Sequence, residues 1–175
     1  MRKAAFLDRD GVINKKAPDE GYILRAEDLE ILPRVVEAIA LLNQADFLVV
    51  IVTNQRCIAR SLLTIRGLEE IHHQMRNELA AAGARIDAIY FCPHGSDESC
   101  DCRKPAPGML LSASSELDID LHDSWMIGDS ASDIATGKHA GCRTLLIAAT
   151  AENPVHADAT ADSLFSAVKL ILSMS

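Results

Sequence analysis

The segment AAFLDRDG at residues 4–11 decides the fold, because an apolar run changes to a charged cluster within one residue. A continuous apolar run is typical of a strand buried on both faces, and Asp, Arg and Gly are typical of the loop that follows. The same change occurs where the run FLVVIV at 47–52 meets Thr53, and where the run at 124–127 meets Gly128 and Asp129. These strands predict a parallel sheet with polar groups along its carboxyl edge, where ligands bind in such folds.

Helical segments alternate with the apolar runs along the rest of the chain. The helical pattern predicts helices at 33–44, 64–82, 107–117, 132–140 and 162–172, with Gly83 and Gly141 as C-terminal caps. Two more strands are expected at 86–91 and 144–147. Regular alternation of strand and helix predicts an α/β fold, with a Rossmann-like parallel sheet between two layers of helices. No repeat or linker is evident, so residues 1–175 are expected to form one domain.

The composition of the chain limits the kinds of molecule that the protein is expected to bind. The net charge of −8 argues against nucleic acid, because proteins that bind it need a clustered positive surface. No apolar run approaches the roughly 20 residues that span a bilayer, so no membrane partner is expected. The N-terminal residues reach Asp8 before an apolar signal region could form, which predicts a cytoplasmic protein. A monomer is expected.

Four aspartates follow the first and fourth predicted strands. Asp8 and Asp10 are two residues apart, so both side chains can enter one pocket, while Asp129 and Asp133 follow the later strand after Gly128. Clustered carboxylate oxygens are the ligands that Mg²⁺ prefers. Any single aspartate after a strand can instead be a turn former or a helix cap, and Asp133 is open to that interpretation. The joint occurrence favours a Mg²⁺ site.

Three cysteines and a histidine lie within eleven residues, at Cys92, His94, Cys100 and Cys102. A Cys₃His set is a common zinc shell, and thiolates select Zn²⁺ over Mg²⁺. The alternatives are a surface loop with incidental cysteines, or a disulfide in an oxidising compartment. Four protein ligands leave no open position for water, so the predicted zinc is structural.

Four motifs together resemble the haloacid dehalogenase (HAD) superfamily of phosphatases. FLDRDGVIN at 6–14 is similar to the first motif, VTNQ at 52–55 to the second, Lys104 to the third and IGDSASD at 127–133 to the fourth. They occur in the family's order and span nearly the whole chain. The resemblance implies a phosphatase that forms an aspartyl-phosphate. The loop after Ile13 is too short for a large cap domain, so only modest loops are expected to close over the substrate.

The resemblance assigns roles to the aspartates. It makes Asp8 the nucleophile and Asp10 the general acid, which then becomes the base that activates water. It makes Asp129 a ligand of Mg²⁺, together with Asp8 and the main-chain carbonyl of Asp10. Asp133 is expected to support this cluster either by contacting the metal ligands without binding the metal itself or through a bridging water. Because a carboxylate and a phosphate dianion repel each other, attack requires cations that neutralise both.

The remaining candidate residues are polar or cationic. Thr53 and Asn54 are expected to donate hydrogen bonds to phosphoryl oxygens, and Lys104 to offset charge on Asp8 and on the transferring group. Arg103 is a candidate for bidentate contact with phosphate, delivered by the zinc loop.

The zinc loop at 92–102 resembles that of a narrower group, the heptose bisphosphate and histidinol-phosphate phosphatases. The segment PAPGM at 105–109 matches the heptose enzymes, and the histidinol-phosphate enzymes are often fused to a dehydratase domain that this sequence lacks. The resemblance implies a small phosphorylated sugar substrate, D-glycero-D-manno-heptose 1,7-bisphosphate, cleaved at the 7-position on the way to lipopolysaccharide. One departure is Arg56-Cys57, where the family has small residues; Cys57 disfavours positive φ.

Three alternatives remain open at this point. Histidinol phosphate, or another small sugar or polyol phosphate, could be the substrate. A DNA 3′-phosphatase shares the catalytic motifs, although the acidic charge weakens that hypothesis. A zinc-stabilised binding module would have no reason to retain Asp8, Asp10, Lys104 and Asp129 together.

Overall fold

The computed structural model describes residues 1–150 and 153–174, and six strands in it form one parallel sheet in the order β3-β2-β1-β4-β5-β6. The strands are β1 Ala4–Leu7, β2 Leu48–Asn54, β3 Ala88–Cys92, β4 Trp125–Gly128, β5 Arg143–Ile147 and β6 Ala159–Ala161. The helices are α1 Val35–Gln44, α2 Ile65–Ala81, α3 Gly108–Leu117, α4 Ala131–Ala140 and α5 Leu164–Ser173.

Apolar side chains cover both faces of the sheet and make it the middle of three layers. In β1, Leu7 joins a buried cluster with α1, α2 and α5, whereas Phe6 joins a second cluster with α3 on the opposite face. Successive side chains of a strand point to opposite faces, so the unbroken apolar run of β1 supplies both clusters. The expected α/β architecture with helices on both faces is confirmed.

Most element boundaries fall within two residues of the sequence prediction. Helix α1 begins at Val35 rather than Pro33, because Arg34 has a left-handed backbone with φ of 62°. Helix α2 begins where Thr64 accepts a hydrogen bond from the backbone amide of Gly67. The sequence did not predict β6, a three-residue edge strand of small side chains. It is defined by its pairing with β5 and not by an apolar run.

The strand order positions the site. Strand β1 pairs in parallel with β2 on one side and with β4 on the other, so the order in which successive strands are added to the sheet reverses between β1 and β4. A crevice forms at the carboxyl ends of the strands at such a reversal. Between β1 and α1 the described helical structure is two short 3₁₀ turns, Pro18–Glu20 and Ala26–Asp28, so this segment contains no large cap. Across residues 1–150 and 153–174, no helix has the length and apolarity needed to cross a bilayer.

Candidate active site

Carboxylates from two strand ends meet at the crevice between β1 and β4. Oxygen atoms of Asp8, Asp129 and Asp133 all lie within 4.8 Å of one another. They border a cavity of about 180 Å³. The cavity is lined by Asp8, Asp10, Lys16, Thr53, Asn54, Lys104, Asp129, Ser130, Ser132 and Asp133. The four motifs that are far apart in the sequence therefore contribute to one cavity.

Lys104 lies between two of these carboxylates. Its ammonium group is 2.8 Å from Asp8 Oδ1 and 2.6 Å from Asp133 Oδ1, and it donates a third hydrogen bond to the carbonyl of Val52. Burial opposes the charged form, but the charges of Asp8 and Asp133 outweigh it and raise the pKa of Lys104. For Asp8, burial raises the pKa to about 7 although Lys104 acts in the opposite direction. Lys104 is therefore a fixed cation against the predicted nucleophile.

Asp10 is held by three donors. Its Oδ1 accepts hydrogen bonds from Arg9 Nη2 and Asn14 Nδ2, both at 3.0 Å, and its Oδ2 accepts one from Gln55 Nε2 at 3.1 Å. Burial favours the protonated form, but the Arg9 charge and these hydrogen bonds outweigh it and lower the pKa of Asp10. The resting carboxylate is therefore ionised, and its orientation is fixed.

Thr53 and Asn54 both line the cavity, at the end of β2. Thr53 Oγ1 accepts a hydrogen bond from Gln55 Nε2 at 2.9 Å, which leaves the Thr53 hydroxyl hydrogen for another acceptor. The Asn54 side chain and the Lys104 backbone exchange two hydrogen bonds, at 3.1 and 3.2 Å. Asn54 therefore fixes the segment that carries Lys104.

Asp129 has one engaged oxygen and one without a partner. Oδ2 lies 2.6 Å from the ammonium of Lys16, whereas Oδ1 is buried and has no hydrogen-bond partner among the described residues. Burial raises the pKa of Asp129, in part offset by Lys16. Burial likewise disfavours the charged form of Lys16, but Asp129 outweighs it and raises the pKa of Lys16. A buried carboxylate oxygen without a donor is what a hard cation would fill, so these residues fit Mg²⁺.

Asp133 supports the cluster from the first turn of α4. Its Oδ2 accepts hydrogen bonds from the backbone amide and hydroxyl of Ser130, which is the N-cap of that helix. Asp133 itself is fully buried. Asp133 is therefore the third residue of helix α4 in a capping box and is not itself the N-cap. Its other oxygen, Oδ1, binds the ammonium of Lys104.

The structure does not bring Arg103 into the carboxylate cavity. Its Nη1 donates to the main-chain carbonyl of His94 at 3.1 Å, which ties it to the Cys/His loop. Arg56, the sequence departure noted above, is exposed, and Cys57 is fully buried with its thiol 3.6 Å from Gln55 Oε1. Cys57 is not among the residues with positive φ, so the loop accommodates a side chain there.

Cys92, His94, Cys100 and Cys102 form a second cluster, with all four ligand atoms within 4.8 Å of one another. The sulfurs of Cys92 and Cys100 are 3.7 Å apart, and His94 Nδ1 lies 3.4 and 3.3 Å from the sulfurs of Cys92 and Cys102. Tetrahedral zinc would separate two sulfurs by about 3.8 Å, and a sulfur and a nitrogen by about 3.6 Å. All five cysteines are free thiols, so the cluster fits a zinc shell and not a disulfide.

Sequence reasoning missed a buried pair behind Asp10. Arg9 is fully buried, and its Nη1 lies 3.1 Å from His72 Nε2 on α2. Because a guanidinium can only donate, His72 Nε2 must be the acceptor and the imidazole must be neutral. Burial and the charge of Arg9 lower the pKa of His72 to about 3. The signal was available, because His72 lies in the buried stripe of α2 with Leu68, Ile71, Met75 and Leu79.

This pair predicts a pH-dependent stability. The unfolded chain takes up a proton on His72 near pH 6.5, whereas the folded protein does so only near pH 3, so acid favours unfolding. The contribution is complete above pH 6.5 and is lost as the pH falls toward 3. We expect about 2 kcal/mol of the unfolding free energy to be lost between pH 7.5 and pH 5 through this residue. Urea unfolding of the wild type and His72→Gln at both pH values measures it.

The neighbouring histidine provides the control. Gln retains an acceptor for Arg9 but does not titrate, so His72→Gln should unfold with a flatter pH dependence than the wild type. His73 is exposed on the same helix, and His73→Gln should keep the wild-type dependence. Equal pH dependence in all three proteins would contradict a neutral, buried His72.

A second cavity of about 300 Å³ adjoins the carboxylate cavity and shares Asp10, Lys16 and Asn54 with it. Tyr22 and Ile23 add an apolar wall, which is suited to the carbon skeleton of a leaving group. A larger groove of about 760 Å³ runs along the exposed face of α2 and Ala26. It includes none of the strand-end carboxylates, so the adjoining cavity is the better candidate for substrate.

Sequence and structure relatives of the chain share one family. The sequence model of the HAD-hydrolase-like family matches residues 101–167. The chain is 40% identical over 146 residues to the D-glycero-beta-D-manno-heptose-1,7-bisphosphate 7-phosphatase of Pseudomonas aeruginosa, covering 83% of this chain and 81% of that protein. It is 41% identical over 145 residues to the enzyme of the same name from Bordetella bronchiseptica, covering 83% and 80%.

A solved structure extends the likeness to nearly the full length. The crystal structure of the D,D-heptose 1,7-bisphosphate phosphatase from B. bronchiseptica, complexed with magnesium and phosphate, superposes with a TM-score of 0.88. The two chains are 34% identical, and the match covers 99% of each. The chain therefore belongs to the family of HAD-like phosphatases that includes these heptose bisphosphate enzymes.

Proposed function

We propose that this phosphatase removes the 7-phosphate of D-glycero-D-manno-heptose 1,7-bisphosphate, using Asp8 as the nucleophile and Mg²⁺ as the cofactor. The observation that carries the proposal is the position of Asp8, paired with Lys104 and beside Asp129 in one cavity. The names of the relatives support the substrate. The magnesium and phosphate named with the B. bronchiseptica enzyme support the cofactor and the ester class.

The proposed reaction has two steps. An Asp8 carboxylate oxygen bonds to phosphorus while the bond from phosphorus to the ester oxygen breaks, and Asp10 gives a proton to that oxygen. Water then loses a proton to Asp10 and its oxygen bonds to phosphorus, while the bond from phosphorus to the Asp8 oxygen breaks. This releases inorganic phosphate and restores the Asp8 carboxylate. Lys104 offsets charge at Asp8 throughout, and the hydroxyl of Thr53 is available to a phosphoryl oxygen.

Asp8, Asp129 and the main-chain carbonyl of Asp10 would hold the metal ion. When bound, Mg²⁺ supplies positive charge that reduces the repulsion between a carboxylate and a phosphate dianion. The protein's own part is to keep the carboxylate oxygens of Asp8 and Asp129 close together and to leave Asp129 Oδ1 without a competing donor.

We further propose that Cys92, His94, Cys100 and Cys102 bind a structural Zn²⁺. The spacing of their ligand atoms and the free thiols support this assignment. The loop they form leads directly into Arg103 and Lys104, and Arg103 is tied back to it through His94. A loop ordered by zinc would therefore also hold Lys104 in position. We propose that Arg103 contacts the substrate at the rim of the cavity.

Loss of one zinc ligand tests the loop. Cys102→Ser should lower bound zinc from about one ion per chain to nearly none, because four-coordinate thiolate sites depend on every ligand. We expect kcat/KM to fall about 10- to 100-fold as the loop loses its order. Elemental analysis and limited proteolysis of residues 92–102 measure the two effects.

Cys142 is the matched control for that variant. It is buried in the core, outside the four-residue cluster, so Cys142→Ala should retain zinc and resist cleavage in the loop. A wild-type protein without tightly bound zinc, or a Cys102→Ser protein with full zinc content, would contradict the assignment.

A panel of phosphate esters tests the substrate. Both anomers of the heptose bisphosphate, histidinol phosphate and fructose 1,6-bisphosphate would be compared by phosphate release at equal enzyme concentration. We expect the highest kcat/KM with one heptose anomer. A higher value with histidinol phosphate would overturn the proposed substrate while retaining the phosphatase.

The proposal also includes a single domain over residues 1–175 that acts as a cytoplasmic monomer. Five free thiols suit a reducing compartment. Light scattering of the purified protein tests the expected monomer.

A further inference from the structure

Lys16 forms an ion pair with Asp129 through the carboxylate oxygen Oδ2. Its ammonium lies 2.6 Å from Asp129 Oδ2, yet 56% of its side chain remains exposed. Gly11 makes room for this ion pair, since a Cβ there would lie 2.1 Å from Asp129 Oδ2 and 2.6 Å from Lys16 Cε. The carboxylate of the pair is therefore largely buried, whereas the lysine side chain is mostly exposed to solvent.

The two lysines of the cavity differ in freedom. Lys104 is 3% exposed and donates to Asp8, Asp133 and Val52 together, so it cannot leave without stranding buried carboxylates. For Lys16 the described ion pairs include only Asp129, and a partly exposed pair of this kind is easily exchanged. Lys16 is the cation of the site that is able to move.

Lys16 also borders each space that the substrate could use. It lines the carboxylate cavity, the adjoining cavity beside Tyr22, and a third depression of about 410 Å³ beyond it. A long, flexible side chain at this junction can reach from Asp129 to an anion in either neighbouring space.

The net charge of the cavity favours replacement of Lys16 by a metal ion at Asp129. Four carboxylates and two ammonium groups surround the cavity, which leaves two net negative charges before any ligand binds. A divalent cation would cancel that charge and would compete with Lys16 for Asp129. An incoming phosphate dianion would then offer the displaced ammonium a new acceptor.

We infer that Lys16 is an exchangeable cation that neutralises Asp129 in the metal-free protein, and that binds a phosphate oxygen of the substrate once Mg²⁺ has taken that carboxylate. The inference rests on the proposed function. It makes metal and phosphate binding cooperative, because the metal releases the lysine that the phosphate requires.

Calorimetry on the zinc-loaded, magnesium-free protein tests the exchange without turnover. Lys16→Met should bind Mg²⁺ about three- to fivefold more tightly, because the competing ion pair is gone. At saturating Mg²⁺ it should bind inorganic phosphate about tenfold more weakly, because a charge-assisted hydrogen bond is lost. Lys16→Arg should retain most of the phosphate affinity.

The adjacent residue is the matched control. The side chain of Lys15 pairs only with the exposed Glu30, at 3.5 Å, so far as the described residues show, and Lys15→Met should leave both affinities within twofold of the wild type. Tighter Mg²⁺ binding by Lys16→Met with unchanged phosphate affinity would overturn the inference, as would Lys16→Met behaving like Lys15→Met. A wild type that binds no phosphate at saturating Mg²⁺ would instead overturn the proposed function.

Discussion

Asp8→Asn is expected to lower kcat by about 10⁴-fold or more, because an amide cannot form the bond to phosphorus that the proposed reaction requires. The substitution preserves shape, so Lys104 keeps its contacts with Asp133 and Val52. Phosphate release from the preferred ester measures the loss. Single-turnover experiments should detect no phosphorylated protein.

The same variant makes an opposite prediction for stability. Burial raises the pKa of Asp8 to about 7, above its ordinary value of 3.8, so ionising this group at pH 8 disfavours the folded state. The stability associated with the protonated form is present below about pH 4 and is lost as the pH rises through 7. A neutral Asn removes this effect, so in magnesium-free buffer at pH 8 Asp8→Asn should melt above the wild type.

An aspartate outside the site provides the comparison. Asp123 is exposed in the turn before β4, and Asp123→Asn should change neither activity nor melting temperature measurably. Substantial turnover by Asp8→Asn would refute the assignment of the nucleophile. Loss of activity together with a lower melting temperature would indicate misfolding instead.

The fold was predictable because its signals are local. An apolar run such as that of β1 indicates a strand buried on both faces, and the alternation with helices indicates a parallel sheet. Strand β6 carried no such signal, because its residues are small and its definition comes from pairing with β5. The start of α1 depended on the left-handed backbone of Arg34, for which a non-glycine residue gives no warning.

Convergence at the site was predictable for the same reason. Asp8 and Asp129 each follow a strand directly, and the carboxyl ends of parallel strands meet at one edge, so spacing alone brings them together. Lys104 follows no strand, and only the family resemblance indicated its place. The contact between Lys104 and Asp133 requires the loop and helix α4 to be in position first.

The residues that sequence reasoning missed are those whose role depends on packing. Arg9 was assigned no role from the sequence, yet it is fully buried and paired with Asp10 and His72. Burying a guanidinium requires acceptors on its donors, and these come from α2 and from the neighbouring aspartate. Gln55, which belongs to the second motif but was given no role of its own, similarly orients Asp10 and Thr53.

Asp10→Asn is expected to separate the two steps of the reaction. The first step needs a proton for the leaving oxygen, although Arg9 and its neighbours lower the pKa of Asp10 in the resting protein. A bound phosphate dianion acts in the opposite direction, because negative charge nearby favours the protonated acid. Loss of the acid should therefore lower kcat by about 10²- to 10⁴-fold for a sugar phosphate, whose alkoxide leaves poorly.

An activated ester makes the distinction measurable. p-Nitrophenyl phosphate releases an anion that needs no proton, so Asp10→Asn should still transfer the phosphoryl group to Asp8, whereas the second step lacks its base. We expect a burst of nitrophenolate close to one equivalent per active site, followed by slow turnover, and no burst from Asp8→Asn. The exposed Asp123→Asn variant should turn over both esters like the wild type. If Asp10→Asn gives neither a burst nor trapped phosphoprotein, Asp10 is required before phosphoryl transfer and the division of labour between the two aspartates is wrong.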